Sequence, residues 1–349
     1  MATPGGQISA HDIRNEFGAT NADGSVSLGA YRVSHDIGGM GELPLDTGVP
    51  QSGMIRYFDM KNKRLNVVVD FYGGGTAYRQ NAATQYDAGN VTYVGNFYLN
   101  THGNSAPGAN SSNRGRYTRV IIHVNKSIGG AGNGTGGGPS NNCSLRTGSW
   151  HGDTSMKIDV GSNGRIYGAG GAGGAGGGDG GNGENGTSAL GVEIDSTVHI
   201  QSGGYIQAGY GGGGGGGEGY DTDKWDDELG MGGGGGGGAG LPVGEGGAGG
   251  DGWKVDGEAG DDGTNTTAGE GGAGGNADNE AIGGNGGDGG SPGEVADDGG
   301  AGQGDNSTGS GGEGAGGGSA VRRTSSSITI TYTGETDRIV GSKGDIGIG

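Results

Sequence analysis

Residues 167–178 read Tyr-Gly-Ala-Gly-Gly-Ala-Gly-Gly-Ala-Gly-Gly-Gly, so alanine recurs at every third position, at 169, 172 and 175. The same Gly-Gly-x order returns at 245–251, 270–276 and 282–291. A period of three fits neither an α-helix nor a β-strand, and it is the period of the left-handed polyproline-II-type helix. Because that helix makes no internal hydrogen bonds, its backbone N–H and C=O groups need partners in neighbouring segments. We therefore predict a polyglycine-II lattice over residues 168–319.

Two runs, 211–217 and 232–238, contain glycine alone. A helix without any Cβ atom can be approached from every side, so we predict that these runs are surrounded by other helices.

Two other structures share this composition. Gly-rich tracts are commonly flexible linkers, and ordering glycine costs roughly 0.5–1 kcal/mol more than ordering alanine. Collagen also has a period of three, but it needs abundant proline in one long repeat, whereas this chain has seven prolines and runs of about ten residues. The regular phase of the glycines favours a packed lattice.

Composition limits the partners and the compartment. Only 29% of the 349 residues are hydrophobic, so a conventional core fits residues 1–210 and the C-terminus alone. A net charge of −19 disfavours nucleic acid as a partner, and the single cysteine, Cys143, forms no disulfide framework. The sequence lacks a long apolar run and a basic, apolar leader, so we expect synthesis in a cytoplasm without a signal peptide or membrane span.

The N-terminal pieces are short. Residues 7–18 predict a helix that Ser9 caps and in which Ile13 and Phe17 share a face. Residues 24–32 are strand-like, and residues 50–63 follow after a loop.

This order of pieces resembles a small module of structural proteins in tailed bacteriophages. The shared pattern is Ile8-Ser9 with Ile13-Arg14 in the helix, Ser27-Leu28 with Tyr31-Arg32, and then a segment that begins at Pro50. Arg56 and Tyr57 stand here where small residues are usual. The resemblance implies that residues 1–75 attach the protein to other tail or baseplate proteins, with candidate contact residues Ile8, Ile13, Phe17, Leu28, Tyr31 and Ile55.

The next part of the chain has β character. Residues 65–72, 91–99 and 119–124 are rich in β-branched and aromatic residues. Residues 156–171 and 198–212 repeat the order strand, turn, short strand and glycine, and 120–132 is a looser copy. We predict a mainly β fold: a sheet or short β-solenoid platform of residues 76–167, joined by 184–208 and 320–349, to which the chain returns through a strand at 327–333.

About eight glycine runs are apparent, and short connections make consecutive runs alternate in direction. This count predicts that the connections 220–229, 253–268 and 292–298 lie at the far end of the lattice, roughly 30 Å from the platform at 3.1 Å per residue. The connections 184–208, 241–243, 277–281 and 305–308 would then lie at the platform.

Gly-rich runs between loops also resemble the polyglycine-II tip adhesins of T-even-like phage tail fibres. That resemblance implies a non-catalytic virion protein that binds a host surface protein or polysaccharide through its far loops, as a trimer or as a cap on a trimeric fibre. The candidate receptor-binding residues are Tyr220, Asp221, Asp223, Trp225, Asp226, Trp253, Lys254 and Asn265.

Other activities fit the sequence less well. Asp221, Asp223 and Asp226 have a spacing open to calcium, but the central glycine and terminal glutamate of an EF-hand loop are missing, so we expect a solvated acidic loop and no metal or cofactor. A rigid tail spacer is the main alternative function. Ice binding by a flat glycine face and polysaccharide hydrolysis by a carboxylate pair remain further alternatives.

Overall fold

A computed structural model gives the fold of this protein. The structure describes residues 3–17, 27–31, 50, 53–64, 66–87, 92–94, 119–130, 140–222, 227–252, 254–277, 280–292, 294–305 and 307–349.

Strands dominate the regular structure of these residues. Two α-helices are present, α1 (Ala10–Phe17) and α2 (Ala82–Asp87), and 3₁₀ turns span Leu28–Tyr31, Tyr57–Met60 and Thr336–Arg338. The strands are β1 (Asn66–Phe71), β2 (Thr76–Tyr78), β3 (Gln80–Asn81), β4 (Thr92–Val94), β5 (Arg119–Val124), β6 (Ser127–Gly129), β7 (Cys143–Arg146), β8 (Ser155–Val160), β9 (Arg165–Tyr167), β10 (Ser188–Val192), β11 (Ser196–Ile200), β12 (Tyr205–Gln207), β13 (Gly219–Thr222), β14 (Asp227–Gly230), β15 (Asn276–Ala277), β16 (Ala281–Ile282), β17 (Ser307–Thr308), β18 (Val321–Arg323), β19 (Ile330–Gly334), β20 (Ile339–Val340) and β21 (Lys343–Ile346).

The platform is a three-sided β-solenoid whose coils pair in parallel, and β4 adds an antiparallel strand beside β1. Sheet 1 has the order β19-β11-β8-β5-β1-β4, sheet 2 the order β2-β6-β9-β12-β20, and sheet 3 the order β21-β18-β10-β7-β3. The chain passes through sheets 1, 2 and 3 in turn, and it does so five times, so each pass forms one coil. The predicted solenoid platform is confirmed, and the repeat of strand, turn and short strand is the passage from sheet 1 to sheet 2.

Aliphatic side chains stacked from coil to coil fill the solenoid. Parallel register places like residues one above another, because the chain advances by one strand spacing per coil. Each of the three stacks is fully buried: Ile122, Ile158 and Val198 in sheet 1, Ile128, Ile166 and Ile206 in sheet 2, and Leu145, Leu190 and Val321 in sheet 3. Each such side chain contributes roughly 1.5–3 kcal/mol through burial.

The glycine-rich segments leave the solenoid at one corner, between sheet 2 and sheet 3. Residues 168–187 connect β9 to β10, and residues 208–320 connect β12 to β18. β18 then pairs with β10, and β19 pairs with β11. The predicted return of the chain to the platform is confirmed.

Ten extended runs make up the lattice in the described residues, and we number them in chain order. They are run 1 (168–176), run 2 (181–187), run 3 (209–218), run 4 (231–240), run 5 (244–252), run 6 (256–264), run 7 (268–275), run 8 (283–291), run 9 (295–303) and run 10 (309–318). Successive amides of run 3 donate to three different runs: Gly212 to Glu184, Gly213 to Gly236 and Gly214 to Asp297, each at 2.9–3.0 Å, and the cycle repeats from Gly215. A partner that changes with a period of three is the pattern of a three-residue helix without internal bonds.

Runs 3 and 4, which hold the all-glycine stretches, are the centre of the lattice. Run 3 bonds to runs 1, 2, 4, 8, 9 and 10, and run 4 bonds to runs 1, 3, 5, 6, 7 and 8. These contacts define three layers, with runs 2, 1 and 5 on one face, runs 10, 3, 4 and 6 in the middle, and runs 9, 8 and 7 on the other face. Residues 211–217 and 232–238 are all buried, so the predicted enclosure is confirmed.

Aspartate and asparagine side chains complete the bonding at the lattice surface. Their Oδ1 atoms accept hydrogen bonds from amides of the adjacent run, and examples are Asp262 to Gly246, Asp288 to Gly271, Asn285 to Gly274, Asp298 to Gly314, Asn182 to Glu313 and Asn185 to Gly316, at 2.8–3.0 Å. Some of the acidic residues of the lattice therefore have a structural role, since their oxygens satisfy amides that a glycine neighbour could not.

The N-terminal segment packs beside the solenoid. The predicted helix is confirmed as α1, and Ser9 caps it because its Oγ accepts the Asp12 amide at 3.2 Å. The predicted strand-like piece at 24–32 is wrong where it is described, since residues 28–31 form a 3₁₀ turn. Ile13 and Met60 are fully buried in the same apolar cluster as the solenoid core.

A methyl group at the centre of the lattice should be far more damaging than one at its edge. A Cβ on Gly214 would overlap the carbonyl oxygen of Gly312, whereas a Cβ on the exposed Gly316 meets only Asn185 Oδ1 at 3.5 Å. We expect Gly214→Ala to lower the free energy of unfolding by about 3 kcal/mol or more, and Gly316→Ala to keep or slightly raise it. Chemical denaturation measures both. Equal midpoints for the two variants would contradict the lattice.

An asparagine should replace a surface aspartate that accepts a backbone amide without much loss of stability, whereas an apolar side chain should not. Asp288→Asn keeps the oxygen that accepts the Gly271 amide at 2.8 Å, whereas Asp288→Leu removes it. We expect the leucine variant to lose about 1 kcal/mol of stability and to speed hydrogen exchange at Gly271, while the asparagine variant stays close to the parent protein. The interpretation fails if the two substitutions are equally destabilising.

Candidate functional site

The lattice has one end at the platform and one far end. The connections that lie at each end differ from those predicted from the sequence. Residues 256–264, interpreted from sequence as part of a loop, form run 6, in which Gly257, Gly260 and Gly263 donate to run 5. This additional run reverses the direction of every later run. The predicted positions of 277–281 and 305–308 at the platform, and of 292–298 at the far end, are therefore wrong.

Five connections meet at the far end: 177–180, 219–230, 253–255, 276–282 and 304–308. β13 pairs with β14 on one side and with β17 on the other, and β15 pairs with β16. Bridges from Gly230 to Val255 and from Ile282 to Gln303 tie these connections together. The far end is thus a joined surface on a rigid support rather than a set of separate loops.

Tyr220, Asp221 and Lys254 lie on this surface. Tyr220 is opposite Leu229 in β14 and Ser307 in β17, and Asp221 is opposite Glu228. Asp223, Trp225, Asp226 and Trp253 lie outside the described residues, but the chain that flanks them belongs to the far end. The structure therefore brings three of the eight predicted receptor-binding residues together.

A half-buried ion pair links two of the far connections. Glu228 is 9% exposed, and its Oε1 accepts from Lys254 Nζ at 3.2 Å. The pair joins β14 to the end of run 5. Lys254 is a candidate contact residue from sequence, but Glu228 is not, because the burial of that carboxylate follows only from the bridge between Gly230 and Val255.

Asn265 lies at the opposite end of the lattice from the position that its assignment to the loop 253–268 requires. Its carbonyl oxygen accepts from Gln207 Nε2 at 2.7 Å, and Gln207 belongs to β12 of the solenoid. The neighbouring Thr264 carbonyl accepts from Gly240, which ends run 4 at the platform. The placement of Asn265 at the far end was wrong because run 6 brings the chain back before residue 265.

The predicted attachment residues are mostly inward-facing. Ile13 and Ile55 are buried, and Ile8 and Leu28 pack partly buried against the core. Phe17 ends α1 and Tyr31 ends a 3₁₀ turn, and the environment of their side chains lies outside the description. Four of these residues hold the N-terminal segment in place, while the exposed large apolar side chains among its described residues are Met54, Tyr57 and Phe58.

A histidine–aspartate pair lies in the platform and was missed from sequence. His123 Nδ1 is 2.8 Å from Asp70 Oδ1, and the two side chains are 1% and 4% exposed. Asp159 and His199 continue the same row across sheet 1. The burial of His123 and Asp70 closes this pair to a substrate in solution.

Residues 289–293 match the Gly-x-Ser-x-Gly pattern of hydrolases, but Ser291 lies at the end of run 8, where its Oγ accepts from the Ala268 amide at 3.3 Å.

The described ranges contain neither a metal-binding cluster nor a membrane-spanning helix. Within them, no group of three or more histidine, cysteine, aspartate or glutamate residues could hold a metal ion. No described helix has the length and apolarity to cross a bilayer.

Comparison with known proteins identifies a family profile and a solved structure that this chain resembles. A family profile described as phage tail fibre adhesin Gp38 matches residues 138–346. A solved structure, the gp37–gp38 adhesin tip complex of the bacteriophage S16 long tail fibre, has 20% identity, a TM-score of 0.28, and covers 66% of this chain and 72% of its own. No curated protein matches. Since the profile spans the last three coils of the solenoid and the whole lattice, this chain belongs to the Gp38 family of phage tail fibre adhesins.

Proposed function

We propose that the protein binds a host cell-surface protein or polysaccharide through the far end of its lattice, without catalysis. The observation that carries this proposal is the joining of five connections at one end of a bonded lattice. Binding residues sit mostly in loops on a rigid scaffold, and this surface combines such support with exposed polar side chains.

The chemistry of the far end favours recognition by complementarity. Tyr220, Leu229 and Met231 are half-buried there and provide apolar area, while Asp221, Asp251 and Glu280 give the surface negative charge. Aromatic and apolar residues supply most of the energy of binding, and charges add specificity and rate. A receptor surface with basic groups around an apolar centre would fit it.

Absence of catalysis is part of the proposal. The paired acidic residues of the lattice, such as Asp261-Asp262 and Asp297-Asp298, are exposed, and the second member of each pair accepts an amide of a neighbouring run. A glycosidase holds one of its two carboxyl groups in an apolar site, whereas these pairs are exposed.

We also propose that the N-terminal segment docks the protein onto the tail, as a cap on a fibre. The Gp38 profile begins at residue 138, so the first 137 residues are available for a different attachment. The gp38 protein of phage S16 is seen in complex with gp37, which makes another fibre protein a reasonable partner here.

The far-end proposal predicts a clear difference between the two ends of the lattice. In the purified full chain, Trp225→Ala or Trp253→Ala should weaken binding to host cells by tenfold or more, because a large aromatic anchor is worth about 2 kcal/mol or more. Asn265→Ala, at the platform end, is the matched control and should bind like the parent protein. Flow cytometry of labelled protein on host cells measures the binding, and unchanged unfolding midpoints show that the variants fold.

Two results would reject the proposal. Loss of binding in Asn265→Ala with normal binding in both tryptophan variants would place recognition at the platform. A parent protein that binds no host cells while it remains part of an infectious particle would favour the rigid spacer.

A further inference from the structure

The N-terminal segment exposes three large apolar side chains with basic side chains beside them. Met54 is 76% exposed, Tyr57 44% and Phe58 72%, which is a high density for large apolar side chains. Lys61 Nζ lies 5.1 Å from the centre of the Phe58 ring, and Arg56 is exposed between Met54 and Tyr57. We call Met54, Arg56, Tyr57, Phe58 and Lys61 the basic apolar patch.

The patch is held on an ordered support. Thr3 is hydrogen-bonded to the end of the segment 53–64. Its amide donates to the Lys63 carbonyl at 2.9 Å, and its carbonyl accepts the Asn62 amide at 3.1 Å. Ile55 and Met60 point into the core and are 9% and 0% exposed. The same segment thus buries two apolar side chains in the core and holds three others in solvent. The three exposed side chains therefore take no part in the core.

A cavity beside the patch could receive a partner side chain. It has a volume of about 310 Å³ and is lined by Phe58, Asp59, Lys61, Asn62, Lys63 and Gly5. The Phe58 ring next to the Lys61 ammonium suits an apolar side chain followed by a carboxylate.

The charge of this segment is opposite to that of the glycine-rich lattice. Residues 53–64 contain four basic residues and one acidic residue, Asp59. Residues 168–319 contain 25 of the 39 acidic residues and two of the 20 basic ones. Charge complementarity therefore indicates an acidic partner for the patch.

A second copy of this chain is a poor occupant. In a twofold dimer the patch would face itself, which would place Arg56 and Lys61 of both copies together and repel them. A contact from the patch to the acidic lattice of another copy would be head-to-tail, and it would build a ring or a filament of adhesins rather than attach one adhesin to a tail. The partner is therefore a different chain.

We propose that the basic apolar patch is the surface by which another tail protein carries this adhesin, and that the partner presents an apolar side chain next to acidic residues. The proposal rests on the proposed function only in that the protein works on a tail. It assigns the contact to Met54, Tyr57 and Phe58 rather than to the inward-facing isoleucines.

The test uses phage particles that lack this protein, to which purified full-length protein is added. After sedimentation of the particles, immunoblotting measures how much protein they retain. The double variant Met54→Ser/Phe58→Ser should be retained at least tenfold less than the parent protein, and Lys61→Glu should also reduce retention.

Retention of the parent protein should fall as salt rises, because charge pairs at the rim are screened. Val295→Ser, at an 83% exposed apolar position in run 9, is the matched control and should be retained normally.

Binding of free protein to host cells separates this proposal from the proposed function. The double variant should still bind cells, since the patch is remote in sequence and structure from the far-end connections. Equal retention of the double variant and the control would overturn the proposal. So would a parent dimer, or parent binding to anionic phosphatidylglycerol vesicles, that the double substitution abolishes.

Discussion

Hydrogen bonds between neighbouring three-residue helices are the interaction on which the lattice depends. Each run has no internal bonds, so every amide and carbonyl of runs 3 and 4 must find a partner in one of six neighbours. Helices can approach that closely only where no Cβ intervenes, and carbonyl oxygens occupy the space in which a methyl group on Gly214 or Gly235 would lie. A net gain of about 0.5–1.5 kcal/mol per bond offsets the entropy that each glycine loses. The lattice is therefore stable only as a whole.

The lattice begins and ends at strands of the solenoid. Runs 1 and 3 begin directly after β9 and β12, and run 10 ends at β18, so the strands of successive coils set the spacing of the first helices. The Leu241 turn also seats on the platform, because its carbonyl accepts from Gly130 and its amide donates to Gly168. This anchoring explains how a segment without an apolar core can hold its five outer connections in one surface.

The sequence predicted the β character, the solenoid, the period-three helices and the enclosure of the all-glycine runs, since each of these follows from a local pattern. It did not reveal run 6, and it did not separate run 1 from run 2, which together bring the eight expected runs to ten. A helix at the edge of the lattice meets neighbours on only part of its circumference, so it needs glycine at one position in three, as in Gly257, Gly260 and Gly263. The intervening Glu258, Ala259, Asp261 and Asp262 make such a helix look like a polar loop. One missed helix then reversed the predicted ends for Asn265 and for all later connections.

Long-range contacts account for the other differences. The row of Asp70, His123 and Asp159 comes together only through the register of parallel strands that are far apart in sequence. The inward direction of Ile13 and Ile55 likewise depends on how the N-terminal segment packs on the solenoid.

Hydrogen exchange of the backbone amides in 211–217 and 232–238 tests the lattice most directly. We predict that these amides exchange as slowly as those of β5 and β8, whereas exchange within seconds, as in a flexible glycine-rich chain, would contradict the account.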